Sequence, residues 1–397
     1  MQSGNRTAFS ISTITAVLIS AIIVGIIVAA TVVLIYGMDN SIESKSSSSI
    51  VNGYSGYPSS LPTERVEVAG SSLLLVPLEF WARNFTLHYP NVEVDPSGGG
   101  SGYGQSGVET GSLDIGDSDA YLTNQTQAEY PNILDVAVAV SAQQINYNLP
   151  NLPGNIHLNF SGSLLTSIYN GTVAYWDDPA ISAINPGAAR LNPSPFTHHL
   201  IVSIHRADSS GDTFIFTQYL SKTDTWWRFN VGFGTSVSWP ADSAEVGVTG
   251  NSGMVAACHQ NPYSVAYIGV SYLLQAIGLN EGYAYLENQA GNFVNISQSN
   301  IASDVNAFSG MIPNDERISL VFGPGQNSYP IVNFEYMLIK SNQSSSDLAL
   351  VIRTFVLWVM DPKYGNSAYF LKPANFVPLP SQVYQLSVKQ VNEIHGS

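Results

Sequence analysis

Three times in this chain a β-rich run ends in a glycine- and serine-rich turn that opens an apolar helical pattern. Residues 66–68 run into Gly70-Ser71-Ser72, ahead of a pattern through Leu78, Phe80, Trp81 and Phe85. Residues 91–94 precede Gly98-Gly99-Gly100-Ser101-Gly102-Tyr103-Gly104, a short helix and a further run at 113–116. Residues 200–205 lead into Arg206-Ala207-Asp208-Ser209-Ser210-Gly211-Asp212-Thr213 and a helical stretch at 214–220. Strands alternating with helices indicate an α/β fold with largely parallel sheets. Ligands in such folds sit at the strand ends, against helix N-termini. Each turn sets backbone N–H groups and a hydroxyl at the positive end of a helix dipole, which suits a tetrahedral oxyanion. One such turn is ordinary capping; three, one with an arginine, are more specific.

Charge excludes several functions. The 397 residues carry 14 Lys+Arg against 29 Asp+Glu, a net charge of -15, and charged residues are only 11%, where about 25% is usual. That is too little charge for a coiled coil and too little basic charge for a duplex nucleic-acid stripe. Cys258 is the single cysteine, so no intrachain disulfide forms. His198, His199 and His205 lack further ligands at metal-binding spacing. No phosphate-binding loop with its Gly-Lys-Ser/Thr ending is present, and Ser210 has no His/Asp partner, so no enzyme is indicated and no cofactor is expected.

Residues 11–36 are charge-free and rich in Val, Ile, Leu and Ala. About 20 apolar residues cross a bilayer as a helix, so this stretch reads as a transmembrane anchor. Arg6 precedes it and Asp39, Glu43 and Lys45 follow, which places residues 1–10 in the cytoplasm and the rest outside the cell. The alternative is a leader cleaved near Arg6 with the apolar helix retained. Residues 37–63 read as a flexible Ser/Gly/Pro-rich tether. Sequons at Asn84, Asn124, Asn159, Asn170, Asn295 and Asn342 lie on the outer side and become candidate N-glycosylation sites.

The three turns, with Asp114-Ile115-Gly116-Asp117-Ser118-Asp119, Trp176-Asp177-Asp178-Pro179, Trp239-Pro240, Gly250-Asn251-Ser252-Gly253 and Tyr329-Pro330-Ile331, resemble the phosphate-binding protein of the high-affinity ABC phosphate importer, from about residue 64 to 390. The resemblance implies a periplasmic-binding-protein (type II) fold, with two α/β lobes closing by hinge motion over the ligand. Lobe 1 would comprise 64–147 and 329–397, and lobe 2 148–328, crossing near Asn148-Leu149-Pro150 and Ser328-Tyr329-Pro330. It implies inorganic phosphate as ligand and ABC permease and ATPase subunits as partners.

Carried over, Ser72 supplies a hydroxyl and N–H, Leu73 an N–H, and Ser101 matches the serine after the glycine-rich turn. Asp119 matches the family carboxylate, Arg206 is the cation with Asp208 orienting it, and Ser210 and Gly211 form the second anion loop. The family usually has Thr-Phe where Ser72-Leu73 stand, and often Thr in place of Asp212. A carboxylate only accepts hydrogen bonds, so Asp119 takes one from a P–OH, whereas fully ionised sulfate offers none. Arg206 adds a planar fork. Asp212 either pairs with Arg206, accepts a second P–OH, or complements the helix dipole. The competing readings are a receptor for another oxyanion or an organic phosphate, a phosphatase-like enzyme, and a cell-surface structural protein that has kept the fold. A surface of neutral polar groups keeps its polarity in acid, which points to an acidic, archaeal habitat.

Overall fold

The computed structural model describes residues 56–240 and 244–397. The expected membrane helix at 11–36, the segment before it and most of the tether lie outside the described residues. Among the described residues no helix is long and apolar enough to cross a membrane. Residues 60–397 pack as one unit.

Nine strands of the described chain form one sheet. They are β1 (Glu64–Gly70), β2 (Val92–Gly98), β3 (Ile115–Ser118), β4 (Ile133–Asn148), β5 (Val202–Arg206), β6 (Glu245–Val248), β7 (Ser264–Gly269), β8 (Gly282–Tyr283) and β9 (Val332–Lys340). Their order is β2-β1-β3-β9-β4-β7-β5-β6, with β8 beside β4. The two flanks are parallel, β2-β1-β3 and β7-β5-β6. The centre is antiparallel, because β9 and β4 run against their neighbours. Pro96 is tolerated in β2 because β2 is an edge strand.

β4 is the spine of the sheet. Its 16 residues are buried almost throughout, pairing with β9 up to Ala142 and with β7 from Gln143 onward. The change of partner therefore comes before the expected crossing at Asn148-Leu149-Pro150. Opposite β4, Glu335 pairs with Ala139 and Tyr336 with Ala137. Val138 is thus an extra residue in the ladder, a bulge of the kind that re-aims neighbouring side chains.

Four helices follow glycine turns, α1 (Leu75–His88), α2 (Ser101–Thr110), α3 (Gly211–Thr223) and α4 (Gly250–Gln260). Two more that matter to the packing, α5 (Ser346–Met360) and α6 (Ser381–Val391), follow turns without glycine. In α1, Leu78, Trp81, Ala82 and Phe85 share one buried face, at the spacing of a core-facing helix. Trp81 Nε1 donates to Gly365 O at 2.8 Å. Phe85 meets Phe355 and Trp358 of α5 edge-on, with ring centroids 5.1 and 5.7 Å apart. This packing fixes the helix that the first turn opens against α5.

Candidate functional site

The turns after β1, β3, β5 and β6 and the start of α2 converge on one buried cluster. Gly70 makes this possible at β1: its φ is +146°, and a Cβ there would lie 2.0 Å from Asp117 O. The chain turns into Ser71, whose Oγ accepts from the N–H groups of Leu73 and Leu74 at 3.0 Å each and donates to Asp119 Oδ1. Ser101, first residue of α2, accepts from Asp119 N at 3.1 Å and donates to Asp119 Oδ2 at 3.3 Å. Asp119 is thereby held by hydroxyls from two different turns.

Arg206 ends β5 with its guanidinium clamped by two carboxylates. Nε donates to Asp208 Oδ1 at 2.6 Å, Nη2 donates to Asp208 Oδ2, and Nη1 donates to Asp212 Oδ2 at 2.9 Å. Burial disfavours the Arg206 cation, but the hydrogen-bonded Asp208 and the charge of Asp212 outweigh it and push its pKa up. Burial also opposes ionisation of Asp208, and Arg206 outweighs it, holding that carboxyl below its usual range. Burial, then repulsion from Asp119, pushes Asp212 up to about 7, against the pull of Arg206, Asn251 and Gln143. Asp119 is likewise raised by burial, opposed by hydrogen bonds from Glu335, Ser71 and Ser101 and by the charge of Arg206.

Asn251, at the start of α4, joins these groups. Its Nδ2 donates to Ser72 Oγ at 3.0 Å and to Asp212 Oδ2 at 2.7 Å, and its N–H donates to Ser72 Oγ at 3.0 Å. Ser72 Oγ thus accepts twice from Asn251, which leaves its own hydrogen to donate. Gln143 of β4 donates to Asp212 Oδ1 at 3.1 Å. The starts of α2 and α3 touch directly. Gly102 N donates to Ser209 O at 3.0 Å. A Cβ on Gly211 would lie 2.5 Å from Ser101 Oγ and 2.6 Å from Asp119 Oδ2.

The backbone amides complete the cluster. Among the described residues no hydrogen bond engages the N–H of Ser72, Ser101, Gly211 or Asp212. Each lies at or next to a helix start, where amides have no intrahelical acceptor. Leu73, expected as a fifth donor, gives its N–H to Ser71 Oγ. Ser210, expected in the second loop, caps α3, its Oγ accepting from Thr213 N at 3.4 Å. The arrangement offers four unpaired amides, the Ser72 hydroxyl, one arginine and one acceptor-only carboxylate. That set matches an oxyanion that still carries a proton.

Sequence reasoning missed Ser71, Asn251, Gln143, Asn333 and Glu335. Asn251 had a signal, because Gly250-Asn251-Ser252-Gly253 is a fourth glycine/serine stretch, here opening helix α4 just after β6, with Gly250 at φ +68°. His205 is stacked on Trp239 with centroids 4.8 Å apart. Trp176 and Trp227 are fully buried, whereas Trp226 is 44% exposed.

The profile of the PBP superfamily domain matches residues 56–363. A phosphate-binding protein PstS from Methanocaldococcus jannaschii is 34% identical over 83% of this chain and 86% of its own length. This chain belongs to the PstS family. Two solved structures share the fold of this PstS-family chain. One is a putative phosphate ABC transporter substrate-binding protein with bound phosphate from Clostridium perfringens, with TM-score 0.57 at 14% identity, covering 80% of this chain and 100% of that one. The other is a high affinity periplasmic phosphate-binding protein bound with phosphate, with TM-score 0.63 at 18% identity, covering 83% and 98%.

Proposed function

We propose that this PstS-family chain is a cell-surface receptor for inorganic phosphate that delivers its ligand to an ABC permease and is not itself an enzyme. The observation that carries the reading is the setting of Asp119. An acceptor-only carboxylate stands among unpaired amides, the Ser72 hydroxyl and Arg206, so the favoured ligand is an anion with both bare and protonated oxygens. Ser72, Ser101, Gly211 and Asp212 donate from their amides to bare oxygens, Arg206 balances charge with Asp208 fixing its plane, and Asp119 accepts from P–OH. Asp212 acts through Arg206, to which it is already bonded. Leu73 and Ser210 shape the two turns. The M. jannaschii relative is a phosphate-binding protein and the C. perfringens structure a putative phosphate ABC transporter substrate-binding protein, which supports phosphate as ligand and an ABC transporter as partner.

Residues 64–147 with 329–397 form one lobe in this reading and 148–328 the other, with β4 and the start of β9 as the hinge. The partner change within β4 supports that placement. Residues 11–36 anchor the receptor, with the bulk of the chain outside the cell. Titration calorimetry of the full chain with phosphate, arsenate and sulfate tests the reading. Phosphate and arsenate bind and sulfate does not; absence of both heat and thermal shift at millimolar phosphate overturns it.

A further inference from the structure

Behind Asp119 lies a second carboxyl that no ligand role accounts for. Glu335, in the middle of β9, is fully buried and has no cationic partner among the ion pairs of the described residues. Its Oε1 is contacted by Ser141 Oγ and accepts from Asn333 Nδ2 at 3.0 Å, while its Oε2 has no donor among the described residues. Asn333 Nδ2, which donates to Glu335 Oε1, also donates to Asp119 O at 3.3 Å, so one amide spans the two residues, and each carboxyl acts on the ionisation of the other.

The hydrogens can be counted. Ser141 Oγ carries one hydrogen and faces two acceptors, Asn333 Oδ1 at 2.8 Å and Glu335 Oε1. Two ionised carboxylates in contact in a dry interior repel strongly, so the pair holds one proton between them. With that proton on Glu335, Asp119 keeps its charge and accepts a third hydrogen bond, from behind. With the proton on Asp119, that residue becomes a donor and loses its selectivity for P–OH.

We propose that Glu335 shares one proton with Asp119 and, by holding it, keeps Asp119 an acceptor toward the cleft, which makes Glu335 a positioning residue for oxyanion selectivity. The inference rests on the phosphate reading above. The groups facing the pair are Ser71 from the first turn, Ser101 of α2, Asp117 of β3, Ser141 of β4, Asn333 of β9, and Arg206 and Asp212 from across the cleft. Asp117 is itself pushed well above its usual range by burial and by Asp119. Glu335 is likewise raised, first by burial and then by Asp119. Arg206 lowers the pKa of Asp119 through its charge, but its ion pairs are with Asp208 and Asp212.

The test compares the full chain with Glu335→Gln and Glu335→Ala. Loss of the shared proton puts two anions beside the ligand, so parental affinity for phosphate falls about tenfold per pH unit once that proton leaves. An amide cannot lose its hydrogens, so the Gln variant loses this one-proton slope. The Ala variant leaves Asp119 to take up the proton itself, and its preference for phosphate over sulfate drops by about tenfold or more; Gln restores it. A Gln profile that superimposes on the parent, or an Ala variant with parental selectivity, overturns the proposal. Carboxyl carbon-13 resonances of labelled glutamate provide a readout independent of ligand. The signal missing in Glu335→Gln stays protonated well above the ordinary glutamate range in the parent, whereas titration near the ordinary value of about 4.3 overturns the proposal. A parent that binds no phosphate overturns the ligand assignment, and the resonance still decides whether Glu335 holds the proton.

Discussion

Asn251 Nδ2 donates to Asp212 Oδ2 at 2.7 Å, and the same nitrogen reaches Ser72 Oγ at 3.0 Å. One amide therefore ties the turn after β1 to the start of α3. Asn251→Ala removes a donor from a buried carboxylate and frees the Ser72 hydroxyl to rotate. An unmet buried group costs about 1–3 kcal/mol, so phosphate affinity is expected to fall about 5- to 150-fold in a calorimetric titration. An unchanged Kd would show that the bridge plays no part in binding.

Gly211→Ala probes the meeting of α2 and α3. The added methyl would lie 2.5 Å from Ser101 Oγ and 2.6 Å from Asp119 Oδ2, against two groups that the proposed function places at the ligand. Neither can move without breaking the other's hydrogen bond. Overpacking of this kind costs about 1–3 kcal/mol, and here it falls on binding, so affinity drops at least about fivefold. Gly187→Ala is the control, since nothing lies within 4 Å of its Cβ. Equal affinities for the two variants would refute the contact.

The three glycine turns were legible because each demands a backbone or an approach that other residues resist. Gly70 and Gly100 have φ of +146° and +87°, and Gly211 abuts Asp119. Arg206, Asp208, Ser101 and Asp119 came from the family resemblance that those turns carry, and the structure brings them together. Which of Ser71 and Ser72 faces Asp119 was not legible. Adjacent residues with the same side chain differ only in the direction the turn gives them, and Ser71 takes the cap and the bond to Asp119. Asn251 reaches Ser72 across 179 residues of sequence, a distance local pattern does not span. Glu335 left a weak trace: a glutamate within the otherwise apolar run Phe334, Tyr336, Met337, Leu338 and Ile339 is at odds with a central strand, and such conflicts mark functional positions.

The six sequons differ in exposure. Asn124, Asn295 and Asn342 are exposed, while Asn84 Nδ2 donates to Phe80 O at 2.8 Å and Asn159 Nδ2 to Ile184 O at 3.0 Å. A glycosylated asparagine must present that nitrogen to solvent. Glycopeptide mass spectrometry of native protein is therefore expected to find sugar at the three exposed sites. Occupancy at Asn84 or Asn159 instead would contradict the exposure argument.

Several carboxyls buried away from the site set the response of stability to pH. Burial raises Asp135 to about 7 and Glu281, Asp304 and Glu316 to about 8. Unfolded, these groups titrate near about 4. Between about pH 4 and pH 8 the folded chain therefore binds more protons than the unfolded one. Raised folded-state values mean stability that is fully present below the unfolded values and lost as pH rises through the folded ones. Tm is expected to be highest in acid and to decline toward about pH 8. Glu281→Gln, which cannot ionise, should flatten that decline and raise Tm by a few degrees near pH 7.5, by about the scale set for roughly 1 kcal/mol. The low surface charge has the same bearing, because neutral polar groups lose nothing on acidification. A Tm that climbs from pH 4 to pH 8 would refute both the sign of these shifts and the acid-adapted reading of the composition.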